Sequence, residues 1–209
     1  MIIDQHKAIF IHIPKNAGSS VKTYFKYNSS KNKHRTIEQI KAENPEAYDS
    51  YRKFAIIRNP YDRMVSWYFY LKKEMKREHL KGDWRWKSGE HFSSNFGEWI
   101  KDPFKDYYSK WKISSIPNSF HDDFEKKYLI KFNVPLLSPQ CTWIDDTVDI
   151  LKYENLSEDL NRFFKEQINI PIFNNSEHEH YFNYYNKDSL DIVYNRYKED
   201  FEKFNYKKL

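Results

Sequence analysis

Residues 7–20 read KAIFIHIPKNAGSS. An apolar run from Ala8 to Ile13 is about one strand long and carries Ile and Phe on both faces, as a central parallel strand covered on both sides does. It breaks at Pro14 into a loop with Lys15, Asn16, Ala17, Gly18, Ser19 and Ser20, and S-S-V-K-T-Y-F-K then has the look of a helix start. A strand, a tight turn and a helix N-terminus together present backbone N–H groups and a positive dipole end to an anion. Lys15 adds a full charge and the two serines add hydroxyl donors. The expected fold is therefore α/β, a three-layer P-loop-like arrangement with a central, mainly parallel sheet flanked by helices. The loop departs from the ATP-binding pattern: aligned on Gly18, Ile13 stands where that pattern has its early glycine and Ser19 where it has its lysine.

Residues 54–70, FAIIRNPYDRMVSWYFY, repeat the arrangement about forty positions later. Phe54–Ile57 form a second buried-strand run ending in Arg58. Asn59 suits an N-cap, Pro60 the first helical position and Asp62 the first turn, where acids complement the dipole. The helix carries Arg63 and Ser66. Arg58 at a strand's carboxyl end and Ser66 two turns into the following helix can face one crevice, where open α/β sheets bind ligands. For Arg63, a helix-surface ion pair and a ligand role are both open.

These two stretches resemble the paired nucleotide loops of the sulfotransferases, most closely the carbohydrate (heparan 2-O-like) branch and its compact bacterial relatives. LSPQCTWIDD, DILKYENLSEDL and YKEDFEKFNY are similar to family segments in the same order. The resemblance implies that the first loop holds the 5′-phosphosulfate of 3′-phosphoadenylyl sulfate (PAPS) and the second its 3′-phosphate. PAP is then the product, and no metal is needed. Lys15 then serves the leaving oxygen, with Asn16, Ala17, the Gly18 N–H, Ser19 and Ser20 around it, and Arg58 and Ser66 serve the 3′-phosphate. Attack by an acceptor hydroxyl calls for a general base. His34, two residues before the T-I-E-Q capping box at Thr36, takes that part by its position and by resemblance to a family segment with a histidine before a short helix. Glu38 is the alternative, because other branches use a glutamate.

Composition narrows the class. A length of 209 residues fits one domain, 1–209, with a basic and aromatic insertion at about 72–92 containing Trp84 and Trp86. That insertion reads either as a solvated segment or as an acceptor surface for an anionic glycan. The net charge of +5 favours anionic partners, yet the chain has no zinc-finger or RNA-binding signature, so nucleic acid is not expected. Cys141 is the single cysteine, which excludes an internal disulfide. No stretch approaches the ~20 apolar residues of a membrane span, and MIIDQHKAIF lacks signal-peptide character. A cytoplasmic enzyme acting on a glycan or a small hydroxylated molecule is the expectation. An NTP-dependent kinase is a competing class, weakened by the displaced lysine; a non-catalytic PAPS- or glycan-binding relative is another. His178-Glu179-His180 has a metal-like spacing without a third ligand in sequence reach. His12 reads as a structural histidine.

Further elements are expected at Phe92–Ile100 (short helix), Thr147–Tyr153 (third parallel strand), Asn155–Gln167 (amphipathic helix) and Asp188–Phe204 (last helix). Residues 46–53 read as a polar lead into the second strand, and LSPQCTWIDD as a loop.

Overall fold

A computed structural model of the chain describes residues 1–27, 34–80, 95–103, 137–170 and 179–209. Among the described residues, four strands form one sheet in the order β1-β2-β3-β4: β1 Ile2–Ile3, β2 Ala8–Ile11, β3 Arg52–Ile57 and β4 Asp149–Lys152. β2, β3 and β4 run parallel, with Phe10 opposite Phe54 and Ala55 opposite Ile150, while β1 adds an antiparallel edge, Ile2 opposite Ile9. The sheet is α/β and mainly parallel, as the two apolar runs require. The short edge strand β1 was not legible in the sequence.

Why these runs form central strands is visible in their two faces. Side chains alternate across a strand, so Ile9, Ile11, Ala55 and Ile57 point to one side and Ala8, Phe10, Phe54 and Ile56 to the other. The first set packs with Ile13, with Ile37 and Ile40 of α2 (Ile37–Glu43), with Tyr48 of α3 (Pro45–Ser50), and with Trp143. The second packs on Val21 of α1 (Gly18–Tyr24), on Phe25, and on Leu160 and Phe163 of the helix Leu156–Phe164. Both faces are covered, and each buried Ile or Phe contributes about 1.5–3 kcal/mol. α4 (Pro60–Leu80) leaves the end of β3. Through Tyr61, Met64, Val65, Trp67 and Tyr68 it builds a third apolar cluster with α5 (Phe96–Lys101) and with the C-terminal helices.

Several boundaries move for physical reasons. Residues 45–50 are helical, because Pro45 sits in the first turn and Tyr48 anchors the element in the core. The amphipathic helix after β4, α6 (Leu156–Phe164), is shorter than Asn155–Gln167 and ends where Lys165 turns left-handed at φ 57°. The expected last helix is two, α7 (Lys187–Arg196) and α8 (Lys198–Lys203), broken at Tyr197. Its apolar period survives the break: Val193, Tyr197 and Phe201 share the third cluster. Residues 140–143 of the LSPQCTWIDD segment form a 3-10 turn rather than an open loop. α5 begins at Phe96, capped by Asn95, whose side chain accepts from Glu98 N at 2.9 Å. Trp84, Trp86 and His178 lie outside the described residues, as do residues 28–33, 81–94 and 104–136.

Candidate active site

The carboxyl ends of β2 and β3 lie side by side, since Ile11 pairs with Ala55. Both continuations therefore reach the same edge of the sheet. The first turns tightly: Lys15 (φ 70°) and Ala17 (φ 56°) are both left-handed, and α1 starts at Gly18. A non-glycine residue in that region costs on the order of 1 kcal/mol or more. Asn16 between them repays part of it. Fully buried, it donates through Nδ2 to Ile56 O at 2.7 Å and to Gln140 Oε1 at 2.6 Å. Gly18 is required by close approach: a Cβ there would stand 1.7 Å from His12 Nε2. The Lys15 ammonium lies 4.1 Å from the centroid of the Tyr70 ring and 5.7 Å from that of Trp67, both on α4. Ser19 is exposed and Ser20 is buried.

At the second junction Asn59 caps α4 as its type predicts, accepting from Tyr61 N at 3.0 Å. Asp62 does more than complement a dipole. Its carboxylate takes Arg58 Nε at 2.7 Å and Nη2 at 2.8 Å in a forked pair, the geometry that a guanidinium and a carboxylate favour. Nη1 of Arg58 donates to Lys15 O at 3.2 Å, and the guanidinium lies 4.2 Å from the centroid of the Tyr153 ring. Arg58 is thus held by α4, by the first loop and by an aromatic face at once. Ser66 is buried along α4 and shares no hydrogen bond with Arg58. Arg63 does not form the helix-surface ion pair that its place on α4 allowed. It is fully buried, donating from Nε to Pro14 O at 3.2 Å and from Nη1 to Ser138 O at 2.9 Å, and burial pushes its guanidinium pKa down. It is a bolt between the first loop and residue 138.

His34 comes to the same edge. Its Nδ1 lies 3.0 Å from His12 O. A carbonyl only accepts, so Nδ1 is the donor in this contact, and the neutral form of the ring has its lone pair on Nε2, the tautomer a general base needs. The ring lies 4.3 Å from the His12 ring and 6.3 Å from that of Trp143, centroid to centroid. His12 in turn stacks on Phe10 at 5.6 Å. The capping box forms as read: Gln39 N donates to Thr36 Oγ1 and Thr36 N to Gln39 Oε1. Glu38 is exposed on α2.

Sequence reasoning missed Asp62 as the partner of Arg58, and it missed Gln140 and Asp200, both fully buried beneath the two loops. A signal existed for Gln140, an amide between Pro139 and Cys141 in the quoted LSPQCTWIDD segment. None existed for Asp200, which reads as one acid in a charged helix. Trp143 is core, its Nε1 donating to Ser138 Oγ at 3.0 Å. Burial and the nearby Asp200 push the Cys141 thiol up to about 12. His180 caps a 3-10 turn through Nδ1, accepting from Phe182 N. Among the described residues, no three His, Cys, Asp or Glu side chains are grouped to hold a metal ion, and no helix is long and apolar enough to cross a membrane.

The donor set suits an anion: an ammonium, a guanidinium, serine hydroxyls and the first-turn N–H groups of α1. The carboxylates nearby are engaged, Asp62 by Arg58, Glu154 by Asn59 N at 2.7 Å and by the Tyr206 hydroxyl at 2.9 Å, and Asp200 by Gln140 and the backbone of Cys141. A family model described as the sulfotransferase family matches residues 1–207. No curated protein and no solved structure matches the chain.

Proposed function

Because the chain belongs to the sulfotransferase family, sulfuryl transfer is its chemistry, and we propose that the donor is PAPS and the acceptor a carbohydrate hydroxyl. One observation carries the proposal: two cationic strand–helix junctions share one sheet edge and are tied together by the Arg58–Lys15 bond of 3.2 Å. Lys15 and the first turn of α1 take the 5′-phosphosulfate. Arg58 uses its remaining N–H protons, with Ser66, for the 3′-phosphate. The acceptor oxygen attacks sulfur in line, its S–O bond forming as the bond from sulfur to the phosphate oxygen breaks. His34 Nε2 receives the hydroxyl proton, and Lys15 stabilises the charge growing on the departing phosphate. Catalysis by positioning and charge stabilisation suffices for such a transfer.

His34 fits the base better than Glu38, since the His12 carbonyl fixes its tautomer beside the first loop. For the acceptor, the half-exposed Tyr70 ring next to Lys15 offers a face for a sugar's C–H groups. The cytoplasmic location belongs to the same proposal and is favoured by the lone cysteine.

The test is thermal stabilisation by PAP, PAPS, AMP and ATP, followed by mass spectrometry of glycan acceptors incubated with PAPS. The expected result is stabilisation by PAP and PAPS above AMP, and a mass gain of one sulfate on an acceptor. Preference for magnesium-ATP would refute the reading.

A further inference from the structure

We propose that Gln140, oriented by Asp200, is the positioning residue that fixes the first loop against the second. The carboxamide of Gln140 is fully buried and every one of its hydrogen-bonding capacities is used. Oε1 accepts from Asn16 Nδ2 at 2.6 Å and from Arg58 N at 2.9 Å; Nε2 donates to Arg58 O at 2.8 Å and to Asp200 Oδ2 at 3.3 Å. With two acceptor sites and two N–H protons, an amide can do no more. Its pairing with both backbone groups of Arg58 is the pairing a neighbouring strand would make, placed where β3 has just ended. Through the same oxygen it takes Asn16, the residue between the two left-handed positions of the first loop. One side chain thus reads both loops.

Asp200 decides which way that amide points. A carboxylate accepts only, so the nitrogen of Gln140 must face it and the oxygen must face Asn16 and Arg58 N. The carboxylate also accepts from Gln140 N and Cys141 N, each at 2.8 Å, which holds the backbone of the turn. It is fully buried and comes from α8, some sixty residues further along the chain. Glutamate at position 140 would lack both donors. Asparagine would fall one methylene short, and leucine would leave Asn16 Nδ2 and Arg58 N without that acceptor. Arg63 ties Pro14 to Ser138 independently, so the fold keeps a second brace when Gln140 is changed.

The positioning rests on geometry alone; its consequence for PAP rests on the nucleotide reading above. The experiment therefore takes two readouts on the full chain, amide hydrogen exchange and PAP affinity by calorimetry. The variants are Gln140→Leu, Gln140→Glu and Asp200→Asn, with Asn161→Ala as a control that loses the bond its side chain accepts from Ile168 N at 2.6 Å, beyond the end of α6. Amides of residues 15–20 and 58–63 should exchange roughly tenfold faster or more in the Gln140 and Asp200 variants. Those of β4 should be unchanged, and PAP should bind about tenfold more weakly. The control should lower the melting temperature without either effect. Should Gln140→Leu fail to fold, the other two variants decide on the same readouts. Wild-type exchange in both loops of a folded variant, or equal changes in the control, would overturn the proposal. If the unmutated protein ignores PAP while the exchange response appears, the donor reading falls and the positioning role stands.

Discussion

Replacing Gly18 by alanine puts one methyl group where the structure has an imidazole. The added Cβ would sit 1.7 Å from His12 Nε2, 2.0 Å from Cδ2 and 2.5 Å from Cε1, against the 3.4 Å at which contact becomes ordinary. Neither partner can yield easily. Position 18 begins α1, its place set by the bonds of Asn16. The His12 ring is stacked on Phe10 at 5.6 Å and meets His34 at 4.3 Å. Overpacking of this kind costs about 1–3 kcal/mol, and in a chain of this size each kcal/mol moves Tm by about 2–4 °C. Gly18→Ala should therefore lower Tm by roughly 2–12 °C, read by calorimetry or circular dichroism. His12→Ala in the same chain opens the space, so the double variant should recover at least 1 kcal/mol relative to the sum of the single changes, a coupling usual for residues in contact (about 0.5–3 kcal/mol). A Gly18→Ala protein within about 0.5 kcal/mol of the parent, or a double variant showing no recovery, would refute the claim that His12 dictates glycine here.

The remaining expectations concern charge and chemistry. Arg58→Ala should erase most of the preference for PAP over AMP, since a charge-assisted bond lost at the 3′-phosphate costs about 1.5–3 kcal/mol; calorimetric titration of both nucleotides reads it, and an undiminished preference counts against Arg58. Lys15→Ala should reduce turnover by about two to three orders of magnitude while PAP still binds, as removal of a transition-state donor does; near-normal turnover in the folded variant contradicts the role. His34→Ala should abolish the rise in rate across the pH range where histidines deprotonate, whereas Glu38→Gln should keep it. The thiol of Cys141, raised to about 12 by burial and the neighbouring carboxylates, stays protonated as pH climbs past its ordinary value. Its alkylation at pH 8 should run roughly a thousandfold slower in the native than in the unfolded protein. For the same reason it removes stability as pH rises from about 9 towards 12, because the unfolded chain gives up that proton first.

What the sequence alone determined is what neighbouring residues dictate to one another. The apolar runs at Ala8 and Phe54 specify doubly covered strands. Asn59 and Pro60 specify where α4 begins, and Thr36 with Gln39 specifies the start of α2, because capping, propensity and side-chain alternation act within a few residues. The position of Lys15 and the loop glycine were legible for the same reason. Only tertiary structure decided what stands behind them. Arg63 faces inward because Pro14 O and Ser138 O, 49 and 75 residues away, lie there to receive it. Asn16 meets Gln140 across 124 residues, and Gln140 is aimed by an acid on a helix that looks solvated in sequence. The last helix breaks at Tyr197, whose hydroxyl donates to Leu137 O, 60 residues back. Such bonds leave no periodicity, since a buried polar group takes whichever partner the packing of distant segments brings within reach.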